Sequence, residues 1–83
     1  MLVDSLNLTC RYRTCSDVVQ NKQLSPYVVY GIEAISECDE AIVYRALKGI
    51  SADRAQVEHM VNLFNQYRLP PIHLEDVVED MNA

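Results

Sequence analysis

Between Leu6 and Cys15 the chain alternates, with Leu6, Leu8, Cys10 and Tyr12 on one side and Asn7, Thr9, Arg11 and Arg13 on the other. Period two with a single apolar side predicts a strand covered on one face only. Ser16 to Ser25 is polar apart from Val18 and Val19, and reads as a long, mobile hairpin connection. Pro26 opens a second strand, Tyr27 to Ser36, rich in β-branched and aromatic residues. Tyr30, Ile32 and Ala34 share one side of it, and Val29, Gly31, Glu33 and Ile35 the other. A glycine inside a strand marks a bulge or a close approach. After the polar turn Glu37-Cys38-Asp39-Glu40 a third strand is predicted over Ala41 to Leu47, with Lys48-Gly49-Ile50 leaving the sheet.

Placing Ile32 and Ala34 on the same face as Tyr44 and Ala46 sets Ala34 opposite Tyr44 and Ile32 opposite Ala46. It also sets Glu33 opposite Arg45, an opposite-charge pair that favours this register. Arg11 or Arg13 could flank Glu33 from the first strand. Ser51 then serves as an N-cap, with Asp53 in the first turn suiting the helix dipole. Val57, Met60, Val61, Phe64 and Tyr67 form the apolar stripe of the helix that follows, and Pro70-Pro71 ends it. Pro71 can be the first residue of a second helix, Ile72 to Met81, whose stripe is Leu74, Val77, Val78 and Met81.

Three strands with one apolar face and two striped helices predict an α+β domain. It is a three-stranded antiparallel β-meander, second strand central, with both C-terminal helices on one face (β-β-β-α-α). The expected core is Tyr30, Ile32, Ala34, Tyr44, Val57, Val61, Phe64, Leu74, Val77 and Val78. At 83 residues the chain is one small domain, residues 1–83, and 49% hydrophobic content argues for a packed core. A net charge of −5 weighs against a nucleic-acid binder working through Arg11, Arg13, Arg45 and Lys48. No stretch is long enough to span a membrane, and the first residues lack the basic and apolar regions of a signal peptide. A cytoplasmic location is therefore expected. Cys10, Cys15 and Cys38 match no zinc spacing and read as reduced thiols.

The run Ile50-Ser51-Ala52-Asp53-Arg54, the helix residues Val57 and Leu63-Phe64-Asn65, and above all Pro71-Ile72-His73-Leu74-Glu75-Asp76-Val77-Val78-Glu79-Asp80 resemble an uncharacterised small bacterial family. This is a domain of unknown function associated mainly with anaerobic Gram-positive bacteria. Tyr30-Gly31-Ile32-Glu33 is similar too. The resemblance covers about the last two-thirds of the chain, and implies no activity, cofactor or partner.

Two candidate sites follow from the residues. His73, Asp76 and Asp80 fall at i, i+3 and i+7, on one helix edge, where an imidazole and two carboxylates could bind a divalent metal or act as an acid–base pair. The plainer reading is a histidine packed in the first turn, with Glu75 and Asp76 favouring the helix dipole and Glu79 and Asp80 solvated. No nucleophile is placed near His73 and no glycine-rich phosphate loop is present, so no catalytic residue and no cofactor are assigned. The second candidate is the sheet face left uncovered by the helices, expected to carry Arg11, Arg13, Val29, Glu33, Ile35, Val43, Arg45 and Leu47. Apolar centres among charged neighbours, beside two open strand edges, point to a protein-interaction module. It would form a homodimer or dock another protein through this face, with a metal-binding or minor enzymatic role at His73 as the alternative.

Overall fold

A computed structural model describes residues 10–82. The alternation at Leu6, Asn7, Leu8 and Thr9 lies outside the described residues. Strand β1 (Cys10–Asn21) pairs antiparallel with β2 (Leu24–Ser36), which pairs antiparallel with β3 (Val43–Ser51), in the order β1-β2-β3. Helix α1 (Arg54–Tyr67), a 3-10 turn (Pro71–His73) and helix α2 (Leu74–Asn82) follow. The predicted α+β meander with two C-terminal helices is the architecture observed. Among the described residues no helix is long and apolar enough to cross a membrane.

The first hairpin is far longer than the alternation suggested. Ser16 to Ser25 is strand and not a long connection: both strands continue through it to a two-residue turn at Lys22-Gln23. Here the ribbon has solvent on both sides, so the polar–apolar alternation disappears while the backbone ladder continues. Val18 opposite Val28 and Val19 opposite Tyr27 supply the β-forming side chains. Two residues, Ser25 and Pro26, stand between Leu24 and Tyr27 where β1 has only Gln20. A bulge is one of the few places where proline, lacking an N–H, fits into a ladder. The radius of gyration is 14.2 Å, against about 12 Å expected of a compact domain this size. A projecting hairpin accounts for the excess.

The β2–β3 register differs from the expected one by a residue. Ile32 pairs with Leu47, Glu33 with Ala46 and Ala34 with Arg45. Because Ile35 then pairs with Val43, Tyr44 is an extra, bulged residue and does not join the helix-side core. The observed register turns Leu47 instead of Ala46 towards the helices, which removes more apolar surface from water. β3 also runs further than expected, to Ser51, by way of a second bulge. Three residues, Lys48-Gly49-Ile50, stand opposite Gly31 alone, with Gly49 at φ +68°. A Cβ on Gly31 would lie 2.3 Å from the Leu47 carbonyl oxygen, so only glycine admits this crossing.

Because β3 takes Ser51, α1 is capped by Asp53, whose carboxylate accepts from the N–H groups of Ala55 and Gln56. Ser51 Oγ accepts from the Asp53 N–H instead. Pro71 opens the second helical segment as expected, though as a 3-10 turn. The core is Tyr12, Ile32, Ala34, Val57, Met60, Val61, Phe64, Leu74 and Val78, with Tyr30, Leu47 and Val77 partly buried against it. Met81, expected in the stripe of α2, stays 39% exposed.

Phe64 packs edge-on against Tyr12, ring centroids 5.6 Å apart. Phe64→Ala should cost about 3–5 kcal/mol, comparable to the whole stability of a domain this small. Thermal denaturation followed by circular dichroism should show no folded baseline at 25 °C. A midpoint within a few degrees of wild type would mean that Phe64 is not central to the core.

Candidate functional site

The residues expected on the uncovered face divide into two groups. Arg11, Arg13, Val29, Glu33 and Val43 share it, and Arg13 Nε donates to Glu33 Oε1 across the β1–β2 pair at 2.7 Å. Arg45 and Leu47 do not. The register turns both towards the helices, where Leu47 packs against the core and Arg45 meets Glu75 of α2 at 2.7 Å. Ile35 faces away from the helices yet is fully buried. Its cross-strand partner Arg11 reaches Glu40 at 2.8 Å, and Ser36 N–H donates to the Ile42 carbonyl. Together these hold the 37–42 connection against that end of the sheet.

The projecting hairpin supplies apolar surface where the polar composition of residues 16–25 suggested a loop. Val18 is 60% exposed, Tyr27 46% and Val28 40%, with Val43 at 43% near the far edge. The signal lay in Val18-Val19 and Tyr27-Val28-Val29, two β-forming runs near enough in sequence to pair with each other across a hairpin. Beyond Tyr30, which pairs with Ser51, no described strand lies on the β3 side of β2. The hairpin is there a two-stranded ribbon with both edges open.

At the root of the hairpin one edge is closed. The Asn65 side chain of α1 accepts from the Tyr12 N–H at 2.7 Å and donates to the Tyr12 carbonyl at 3.0 Å. It thus takes both groups that a neighbouring strand would bond. Since strand residues alternate in the side to which their backbone groups point, Thr14, Ser16 and Val18 also face outward from β1. No described strand pairs with them.

His73 ends the 3-10 turn with its side chain exposed, not packed in the first turn, and its N–H bonds the Pro70 carbonyl. Asp76 and Asp80 are exposed on α2. Among the described residues no group of three or more His, Cys, Asp and Glu side chains is arranged to hold a metal ion. A shallow groove of about 320 Å³ runs between the Lys48–Ile50 bulge and Val78 and Asn82 of α2. It contains no convergent set of polar groups. Burial pushes the Cys10 and Cys15 thiols and, more strongly, the Tyr12 phenol above their ordinary values.

This is a small α+β domain with an open sheet, one plugged strand edge and a projecting ribbon. The chain belongs to a family of unknown function, DUF6514, whose model matches residues 2–83. No curated protein and no solved structure matches it.

Two measurements follow from these side chains. Zinc, manganese or calcium in tenfold excess should leave the melting temperature unchanged, since a ligand that binds only the folded state must raise it. An upward shift that vanishes in His73→Ala would place a metal there. The raised thiols and phenol set the alkaline limit. Groups with folded-state pKa values above the unfolded ones stabilise fully below their ordinary values, 9.0 for the thiols and 10.0 for the phenol. That contribution is lost as pH rises further. The melting temperature should fall steadily above pH 9, and Tyr12→Phe should flatten the upper part of the decline.

Proposed function

We propose that this chain is a non-enzymatic protein-interaction module of a bacterial cytoplasm, which self-associates through its sheet. The observation that carries this is the hairpin projecting past the helical cover, with both edges open and Val18, Tyr27 and Val28 exposed. Isolated two-stranded ribbons are marginal in water, and covering an edge and a face stabilises them. On the face away from the helices Tyr27, Val29 and Val43 are apolar with Arg11, Arg13 and Glu33 charged among them, while Val18 and Val28 lie on the other face of the ribbon. Ile35 and Leu47 serve the fold, so the contact surface is displaced from the sheet centre towards the hairpin. A paired chain is also the arrangement that conceals long strand edges from indiscriminate pairing.

Analytical ultracentrifugation at micromolar concentration tests this. The expected result is a species of twice the 9.5 kDa chain mass. A single 9.5 kDa species at all concentrations would remove self-association.

A further inference from the structure

We infer that two copies of this chain pair through the outer edge of β1, with a two-fold axis beside Cys15. The inference rests on the self-association proposed above and specifies its geometry. Asn65 closes the edge at Tyr12, which leaves the run from Arg13 onward open. In an antiparallel pair of identical edges, outward-facing residues must bond outward-facing residues. Thr14, Ser16 and Val18 can therefore meet only one another. That leaves a short series of registers, and charge selects among them.

With Cys15 on the axis, Arg13 of each copy lies opposite Asp17 of the other. Thr14 and Ser16 exchange their backbone bonds, and roughly four such bonds cross the interface. Moving the axis to Asp17 sets two carboxylates face to face, and moving it to Arg13 sets two guanidiniums face to face. An axis at Thr14 or Ser16 leaves Arg13 opposite Cys15 or Val19. Only the Cys15 axis joins Arg13 to Asp17. Both side chains are available for this. Asp17 is exposed and makes no ion pair or hydrogen bond among the described residues. Arg13 gives Nε to Glu33, and its terminal nitrogens are engaged by no described residue. The same register ends by itself, because position 18 would meet Tyr12 of the other copy, whose edge Asn65 occupies. Pairing runs from residue 13 to residue 17 in both copies and joins two three-stranded sheets into one of six. The helices of both copies then lie on the same face, since even-numbered residues of β1 pair only with even-numbered ones.

Cys15 reports on this directly. Directly opposed residues of a non-hydrogen-bonded pair have Cα atoms about 4.5 Å apart, within the range a disulfide can bridge. The experiment uses a Cys10→Ser, Cys38→Ser chain, which keeps Cys15 as its sole thiol. Diamide accepts the two electrons and two protons released as the thiols join, becoming the hydrazine. Most of the dimer should run as a covalent pair on a non-reducing gel, and dithiothreitol should reverse it. Asp17→Lys sets an ammonium against the Arg13 guanidinium at both ends of the paired run. It should weaken the dimer about tenfold or more in sedimentation, and suppress cross-linking, with the circular dichroism spectrum unchanged. A dimer that neither cross-links through Cys15 nor responds to Asp17→Lys overturns the edge geometry and leaves self-association standing. If Val43→Glu dissociates that dimer, the contact is face to face. A chain that stays monomeric before any substitution overturns both.

Discussion

Tyr12 is the residue through which the sheet and the helical layer hold each other. Its ring lies edge-on to Phe64, its hydroxyl donates to the Leu69 carbonyl just past α1, and its backbone N–H and carbonyl are both bonded by the Asn65 side chain. One strand residue thus fixes the height, the rotation and the end of the longer helix. Arg68, in the left-handed region at φ 52°, turns the chain there, and its N–H and that of Leu69 bond the Phe64 carbonyl. Pro70 and Pro71 then direct α2 back across the sheet, where Leu74 and Val78 complete the core.

The second constraint is the crossing of β2 and β3. Gly31 lets the Leu47 carbonyl approach where any side chain would collide, and the bulge opposite it absorbs the extra residues of β3. The bulge at Tyr44 then sets which side chains turn inward. These irregularities send Leu47 into the core and Arg45 to Glu75, while Glu33 keeps Arg13. A cross-strand charge pair is worth only tenths of a kcal/mol, whereas burying leucine in place of alanine is worth more than that. Packing therefore decided the register and the charges adapted to it.

The proposed self-association draws on the mismatch between the strands and their cover. The helices cover the root of the first hairpin and leave its distal half bare, with β-branched and aromatic side chains on both faces. Natural sheets usually blunt such an edge with charge, proline or a covering element. Here two of these occur, at different points: Asn65 covers the edge at Tyr12, and Pro26 lies in the bulge near the tip. The interval between the plug and the bulge is the part left able to pair.

Much of this was legible in the residues alone. Period two at Cys10–Tyr12 and Tyr30–Ala34, the stripe Val57–Phe64 and the stripe Leu74–Val78 determined the first two strands, the two helices and the face each of these buries, and the third strand was legible as a strand but not in its inward face. Burial demands such periodicity wherever an element is covered on one side. Pro71 likewise determined where the second helical segment begins. The extent of the hairpin was not legible, because an uncovered ribbon imposes no alternation and polar residues satisfy it as well as apolar ones. Nor was the register of β3, the cap at Asp53 or the fate of Ile35, Arg45 and Leu47. Those depended on bulges, and a bulge is chosen by the fit of side chains distant in sequence. The edge plug was decided in the same way: Asn65 lies outside the apolar stripe of its helix, and only the fold brings it to the backbone of Tyr12.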